Sequence, residues 1–334
     1  MDKTEWRMDP LTREWTIFNE GRALPPTCGG ADDGPLADSP FRAGLEHYAP
    51  HSVHHEGGPH SWQVRVVPNR APILRVEGDH AHTSDGLYER LDGVGAHEIV
   101  IEDPGRRRFE DLPPAELTKV LSAWRARIED LMRDMRLRSF TVVKDVGRAA
   151  GQSIAHSLSQ VFAMAVIPSA LRRKLESARD YYAAKERSLF ADILAEEKRK
   201  GIRIVYENAG CVVFCPYAAR GPFEVAIWPK RQSPDFHHSN HEELGYFADA
   251  LHQALARLNR ALCRPAWHFL LTTAPSRVLS AGDWPTIEED FRWHASILPR
   301  LNPMSGFEIS TGSHVNGVWP EVAADHLRAQ EVTP

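Results

Sequence analysis

Cysteine is scarce: four residues in 334, at Cys28, Cys211, Cys215 and Cys263, with no repeated spacing between them. That excludes a small disulfide scaffold, and the expectation is four reduced thiols in a cytoplasmic protein. Long apolar runs are absent as well, so no segment is predicted to span a bilayer. The opening MDKTEWRMDP is charged and has no apolar stretch of the secretory-leader kind. Positive charge is not in excess: 40 Lys and Arg stand against 45 Asp and Glu, a net charge of −5. A nucleic-acid or membrane-surface footprint is therefore not expected. Arg106-Arg107-Arg108 is the nearest approach to one, and reads as a local phosphate contact or a solvated turn.

What is present is a soluble globular composition, 42% hydrophobic and 25% charged, long enough for one large core or two ordinary ones. The densest run of chemistry is KDVGRAAGQSIAHSLSQV, from Lys144 to Val161. Gly147 and Gly151 bracket a loop whose backbone can approach a phosphate, with the Ser153 hydroxyl beside it. His156, Leu158 and Gln160 alternate, so an extended strand sends all three to one face, successive members about 6–7 Å apart.

This run resembles the active-site segment of the galactose-1-phosphate uridylyltransferase family, a branch of the histidine-triad superfamily, with its Asn-x-Gly-x-x-x-Gly-x-Ser and His-Pro-His-x-Gln patterns. Gly147, Gly151, Ser153, His156 and Gln160 match; Asp145 stands for Asn and Ser157 for Pro. Leu158 takes the place of the histidine that carries the nucleotidyl group in the family. Leucine has no lone pair with which to attack phosphorus.

The resemblance covers about residues 5 to 328. Arg7, Asp9, Pro10, Glu14, Trp15, Gly21 and Arg22 fit the family's opening, in which arginines reach a phosphate across a dimer. Arg22 keeps that role available, or is a surface charge. Residues 25–62, rich in Gly, Pro, Asp and His, read as loop. QVRVVPNRAPILRV (residues 63–76) is an alternating strand and turn, and Asn69 matches a position that holds the nucleotide, or is a turn residue after Pro68. The resemblance implies a first metal site at Ser39, Arg42, Arg106 and His156, which offers one imidazole and no thiolate. SLFADIL resembles a signature whose two cysteines are here Ser188 and Ala191. A second metal site is implied at Glu176, Thr273, His294 and Ser296, where two of four residues can ligate. No metal and no other cofactor is expected.

Periodicity predicts helices over about 115–134, 169–199 and 242–260, and strands at 95–102, 140–144, 202–207, 211–216, 223–227, 267–272 and 291–299. The second half repeats the order of the first. The expectation is an α+β fold: a tandem histidine-triad-like repeat, mostly antiparallel sheet with helices outside, pseudo-twofold, with halves at 1–168 and 169–334.

Three routes remain for chemistry. His156 can act as nucleophile or general base; Ser157 or Ser159 can attack, though from the opposite face and without an evident base; or His156 can work with a carboxylate, Asp145 or Glu308, in proton transfer. The candidate catalytic residues are thus His156, Gln160 and Asp145, and the candidate ligand contacts are Arg22, Asn69, Gly151, Ser153, Leu158 and Glu308. The reading is a divergent, metal-free enzyme of this lineage, in which Leu158 in place of the nucleophile argues against the usual covalent uridylyl transfer, acting on a nucleotide sugar or a repurposed small-molecule substrate with His156 central, as a homodimer. The alternative is an inactive homologue that binds a nucleotide, a sugar phosphate or a protein.

Overall fold

A computed structural model describes residues 4–19, 39–58, 61–79, 81–105, 107–278 and 282–332. Arg22 and Arg106 lie outside them. In chain order come β1 (Thr4–Met8), β2 (Trp15–Asn19), β3 (His54–Gly58), β4 (Ser61–Pro68), β5 (His82–Asp85), β6 (Tyr88–Leu91) and β7 (Gly95–Ile101). Next are α1 (Pro114–Leu131), β8 (Ser139–Val146), β9 (Leu158–Met164), α2 (Ser169–Lys185), α3 (Leu189–Lys200), β10 (Ile204–Glu207), β11 (Cys211–Phe214) and β12 (Val225–Pro229). The chain ends with α4 (His241–Leu262), β13 (Trp267–Thr272), α5 (Ile287–Asp290), β14 (His294–Pro299), α6 (Gly306–Thr311), β15 (His314–Asn316) and α7 (Pro320–Arg328).

Ten strands form one antiparallel sheet in the order β10-β11-β12-β14-β13-β8-β9-β7-β4-β3. Alternation along each strand sorts its side chains between two faces. One face sends Val100, Phe140, Val142, Val161, Phe269, Ala295 and Ile227 into the main core under α1 and α4. Proline at the first turn starts α1, and α4 starts with a reciprocal cap between Asn240 and Glu243. On the other face, α2 and α3 cover Val212, Phe214, Ala226 and Trp228. A smaller cluster of Phe41, Trp62, Val67 and Ile101 covers the far end. The site described below lies between these two covers, at the centre of the sheet.

Several expectations change. The single helix over 169–199 is two, broken where Glu186 takes φ 54°. Ser188, at a position where the resemblance has cysteine, restarts the helix by accepting from Ala191 N–H at 3.3 Å. The loop expected over residues 25–62 holds β3 and the start of β4. Cys263 is disulfide-bonded while Cys211 and Cys215 are free, so the four reduced thiols are corrected and the compartment loses that support. Among the described residues no helix is long and apolar enough to cross a membrane.

Candidate active site

The register builds the site in rows. Ile99, Gln160, Val143, Leu270 and Ser296 are paired in sequence across β7, β9, β8, β13 and β14, and so share one face. A parallel row holds His97, Phe162, Thr141, Thr272 and His294. On the other side of Gln160 lie Ile101 paired with Leu158, and Asp145 paired with His268, which is paired with Leu298.

β9 begins at Leu158, so Leu158 and Gln160 share the face as expected but His156 does not extend the strand. It sits in the preceding turn, buried, with Phe41 edge-on at 6.3 Å. Its Nε2–H donates to Asp103 O at 2.8 Å, which leaves the lone pair on Nδ1, a buried atom with no hydrogen bond. Burial holds this imidazole below its usual pKa, hence neutral. Leu158 packs with Phe41, Trp62, Val67 and Ile101.

Gln160 is positioned by His97. Ile73 N–H donates to His97 Nδ1 at 3.3 Å, so Nε2 carries the proton and donates to Gln160 Oε1 at 2.8 Å. The Gln160 carbonyl is thereby fixed and its NH2 left as a donor. The Asn69 side-chain NH2, a donor, lies 3.4 Å from the same unprotonated Nδ1, which sets Asn69 beside His97 and Gln160. His97 was not singled out from sequence; only the β7–β9 register shows what it holds.

The glycine loop is closed on itself. Gly147 and Gly151 take φ 82° and 90°, a region that favours glycine. The Gln152 side chain crosses the loop, accepting from Gly147 N–H at 2.7 Å and donating to Ile154 O at 2.9 Å. The N–H groups of Ala150, Gly151 and Gln152 are also spent within the loop. Ser153 is exposed. Behind it, on the core face, Ser157 Oγ donates to Glu102 at 2.6 Å and Lys144 reaches the same carboxylate at 2.6 Å. The expectation that Ser157 lacks a nearby base is corrected: Glu102 Oε2 accepts from both Ser157 and Lys144, while Oε1 is buried without a hydrogen bond. Ser159 accepts from Trp124 Nε1.

Asp145 does not meet His156. Its Oδ1 accepts from His268 Nδ1 at 2.6 Å. His268 lines a cavity of about 530 Å³ together with Arg220, Glu224, Arg300, Glu308 and His314. Arg220 is neutralised by Glu224 at 2.5 Å. Arg300 makes no side-chain hydrogen bond or ion pair among the described residues, so it presents an uncompensated cation. Glu308 reaches this cavity, but it is the N3 member of the capping box that starts α6 and accepts from Ser305 and Val315 N–H at 2.8 and 3.1 Å. Burial opposes its ionisation, yet those hydrogen bonds prevail and hold its carboxyl below the usual range. A carboxylate so occupied is a poor proton shuttle.

Neither implied metal site fits a metal. At the first, Ser39 Oγ accepts from Phe41 N–H and His156 is the sole imidazole. At the second, Thr272 rather than Thr273 faces His294; Thr273 Oγ1 is buried against Phe236 N and Pro234 O. His294 Nδ1–H donates to Arg292 O, and its Nε2 accepts from the Lys174 ammonium at 2.7 Å. A fixed cation thus sits on the nitrogen a metal would need. Among the described residues one other cluster, Asp235, His237 and His238, brings three possible ligands together, but Arg277 holds both Asp235 oxygens.

Burial pushes the Lys174 ammonium down to about 8, with Arg220 adding repulsion. Between pH 8 and the unfolded value near 10.5, the unfolded chain binds more protons at this residue, so stability from this group rises with pH. Below pH 8 the cost of the buried charge is fully present. Urea midpoints at pH 7.5, 8.5 and 9.5 should therefore show a steeper upward trend in wild type than in Lys174→Met. Parallel trends would refute the assignment.

No protein-family model matches the chain. It is 30% identical to ADP-glucose phosphorylase of Arabidopsis thaliana over 338 residues, covering 98% of this chain and 93% of that one. A crystal structure of an ADP-glucose phosphorylase from the same plant, with bound ADP-glucose, superposes with TM-score 0.85 at 27% identity over 99% of this chain and all of the other. Galactose-1-phosphate uridylyltransferase of Thermotoga maritima is 24% identical, covering 98% of this chain and 99% of its own.

Proposed function

Because the chain belongs to the galactose-1-phosphate uridylyltransferase family, we propose that it binds a nucleoside diphosphate sugar on the central rows of its sheet, without a metal, and turns it over without a covalent nucleotidyl-histidine. One observation carries this reading. A cavity lined by His268, the partner of Asp145, and by Arg300, which has no ion pair among the described residues, opens on the sheet face that also carries the Gln160 donor held by His97. Arg300 suits a phosphate, Gln160 a phosphoryl oxygen, and Asn69 and Ser153 the nucleotide end. Gly151 serves by shaping the turn, and His156 by tying the β9 turn to Asp103. The plant relative's bound ADP-glucose supports an adenine nucleotide sugar as the first candidate.

The packing of Leu158 into an apolar cluster favours a second reading, a binder without turnover. Both readings require the same ligand. A nucleotide sugar at 100 times its Kd should stabilise the protein by about 2.7 kcal/mol, a rise of several degrees in Tm. ADP-glucose, UDP-glucose and UDP-galactose should shift Tm by more than the free sugar phosphates do. Gln160→Leu should weaken the shift. A well-folded protein with no shift from any nucleotide sugar sinks both readings.

We also propose that residues 1–168 and 169–334 are two repeats related by a pseudo-twofold. The strand order supports it, since β3-β4-β7-β9-β8 and β10-β11-β12-β14-β13 run inward from opposite edges and meet at the β8–β13 pair. A homodimer, the arrangement in which Arg22 would serve a partner's site, is supported by the exposed Trp6, Met8 and Trp15 of β1 and β2. Light scattering on the purified protein tests it.

A further inference from the structure

Among the described residues four imidazoles belong to the sheet's site face or its edge, three of them spent, and a fifth, His314, lines the cavity with its Nε2 3.6 Å from the Glu14 carboxylate. His97 uses both ring nitrogens, on Ile73 and Gln160. His294 uses both, on Arg292 and Lys174. His156 donates to Asp103 and keeps its lone pair buried. His268 differs. Its Nδ1 is 2.6 Å from Asp145 Oδ1, and its Nε2 has no hydrogen bond among the described residues. Its side chain is 29% exposed and lines the cavity that holds Arg300.

We propose that His268, oriented by Asp145, is the general base of this site. The proposal rests on the nucleotide-sugar reading above and names the group that performs its chemistry. Asp145 accepts the Nδ1–H, which fixes the tautomer and leaves the Nε2 lone pair toward the cavity. The pairing also stabilises the imidazolium formed when that nitrogen takes a proton. This arrangement supplies what Leu158 removed by a different route. Extending the β8–β9 register two residues beyond its last pair, Val143 with Gln160, brings Asp145 beside Leu158, and His268 is paired with Asp145 on the next strand. Strands lie about 4.8 Å apart, so the base is displaced about 10 Å along the row from the position of the missing nucleophile. That spacing leaves room for an acceptor between the base and the phosphorus.

The acceptor is a hydroxyl, of which water is the simplest. Its proton moves to His268 Nε2 as its oxygen bonds to one phosphorus of the nucleoside diphosphate sugar. The bond from that phosphorus to the bridging oxygen breaks, and the electron pair leaves with the departing phosphate monoester. With water the products are a nucleoside monophosphate and a sugar 1-phosphate, and the imidazolium returns its proton to solvent. No oxidant or reductant is involved.

The test uses the full chain with ADP-glucose and UDP-glucose. Calorimetry gives Kd, and phosphorus NMR in H2(18)O follows turnover and the labelled phosphorus. Wild type should release both monoesters with one solvent oxygen on one of them, and the rate should fall on the acid side as His268 protonates. His268→Gln should keep Kd within about twofold, lose 10²–10⁴-fold in rate and lose the acid limb. Asp145→Asn, which keeps the size of the side chain, should cost at least tenfold and move that limb. It also serves where the first variant folds poorly. Binding without turnover in wild type overturns the base and leaves the ligand reading standing. Turnover in His268→Gln within threefold of wild type, with its acid limb intact, overturns it too. Failure of every nucleotide sugar to bind overturns both.

Discussion

Replacing Glu102 by Ala should destabilise the protein by about 3–5 kcal/mol, the cost of leaving its buried ionic partner alone. Lys144 and Glu102 have side chains only 2% and 0% exposed, and their charged atoms are 2.6 Å apart. The ammonium also donates to the Leu158 carbonyl at 3.0 Å and lies 4.6 Å from the centre of the Phe109 ring. Ser157 completes the group by donating to Glu102. The whole cluster therefore ties the start of β9 to β8 from the core face, directly behind Leu158. Glu102→Ala removes the anion and one acceptor for Ser157 while the cation stays in an apolar setting. Lys144→Met should also destabilise, because Glu102 then keeps only the Ser157 hydroxyl. The double substitution Glu102→Leu with Lys144→Met should recover much of the loss, since both desolvated charges go together. Urea denaturation of the four proteins decides the matter. If the single and double variants show simple additivity, the pair is not the unit described here.

Trp124→Ala should cost a similar amount, about 3–5 kcal/mol, for a different reason. Trp124 is fully buried at the centre of the main core, 5.3 Å from the Phe269 ring and stacked on Phe109 at 6.2 Å. Its indole donates to Ser159 Oγ at 2.8 Å, and Ser159 is fully buried on the core face of β9. Removing the ring leaves a cavity under the strand whose other face carries Leu158 and Gln160. It also strands a hydroxyl. Trp124→Phe should isolate that second part, keeping most of the apolar area and losing about 1–3 kcal/mol for the unpaired Ser159. Trp124→Phe combined with Ser159→Ala should then recover stability relative to Trp124→Phe alone. A Trp124→Ala variant within 1 kcal/mol of wild type would show that the α1–sheet contact is not where the core is anchored.

Local sequence determined a good deal. Alternation in WHFLLT marks a strand, since a period of two sends every second side chain to the same face. The proline before Ala115 and the Asn240–Glu243 pair mark two helix starts. The family was legible from the run around Gly147 to Gln160, and so was the absence of its nucleophile, because a leucine at position 158 is a matter of composition alone. The break at Glu186 was not legible: charge alternation continues through it, and only a left-handed residue between two packed helices reveals it.

The partners within the site were decided by tertiary structure. Sequence paired Asp145 with His156 because they are eleven positions apart in one motif. Strand register instead sets Asp145 opposite His268, a residue 123 positions away in a segment without any motif. The same holds for His97 on Gln160, and for Lys174 on His294, where an ammonium from a helix meets an imidazole from a strand. A sequence states which groups exist and, through its periods, which face of an element each one takes. Which group lies across from which is set by the pairing of distant strands, and hydrogen bonds of under 3 Å are too short in range to be inferred from anything less.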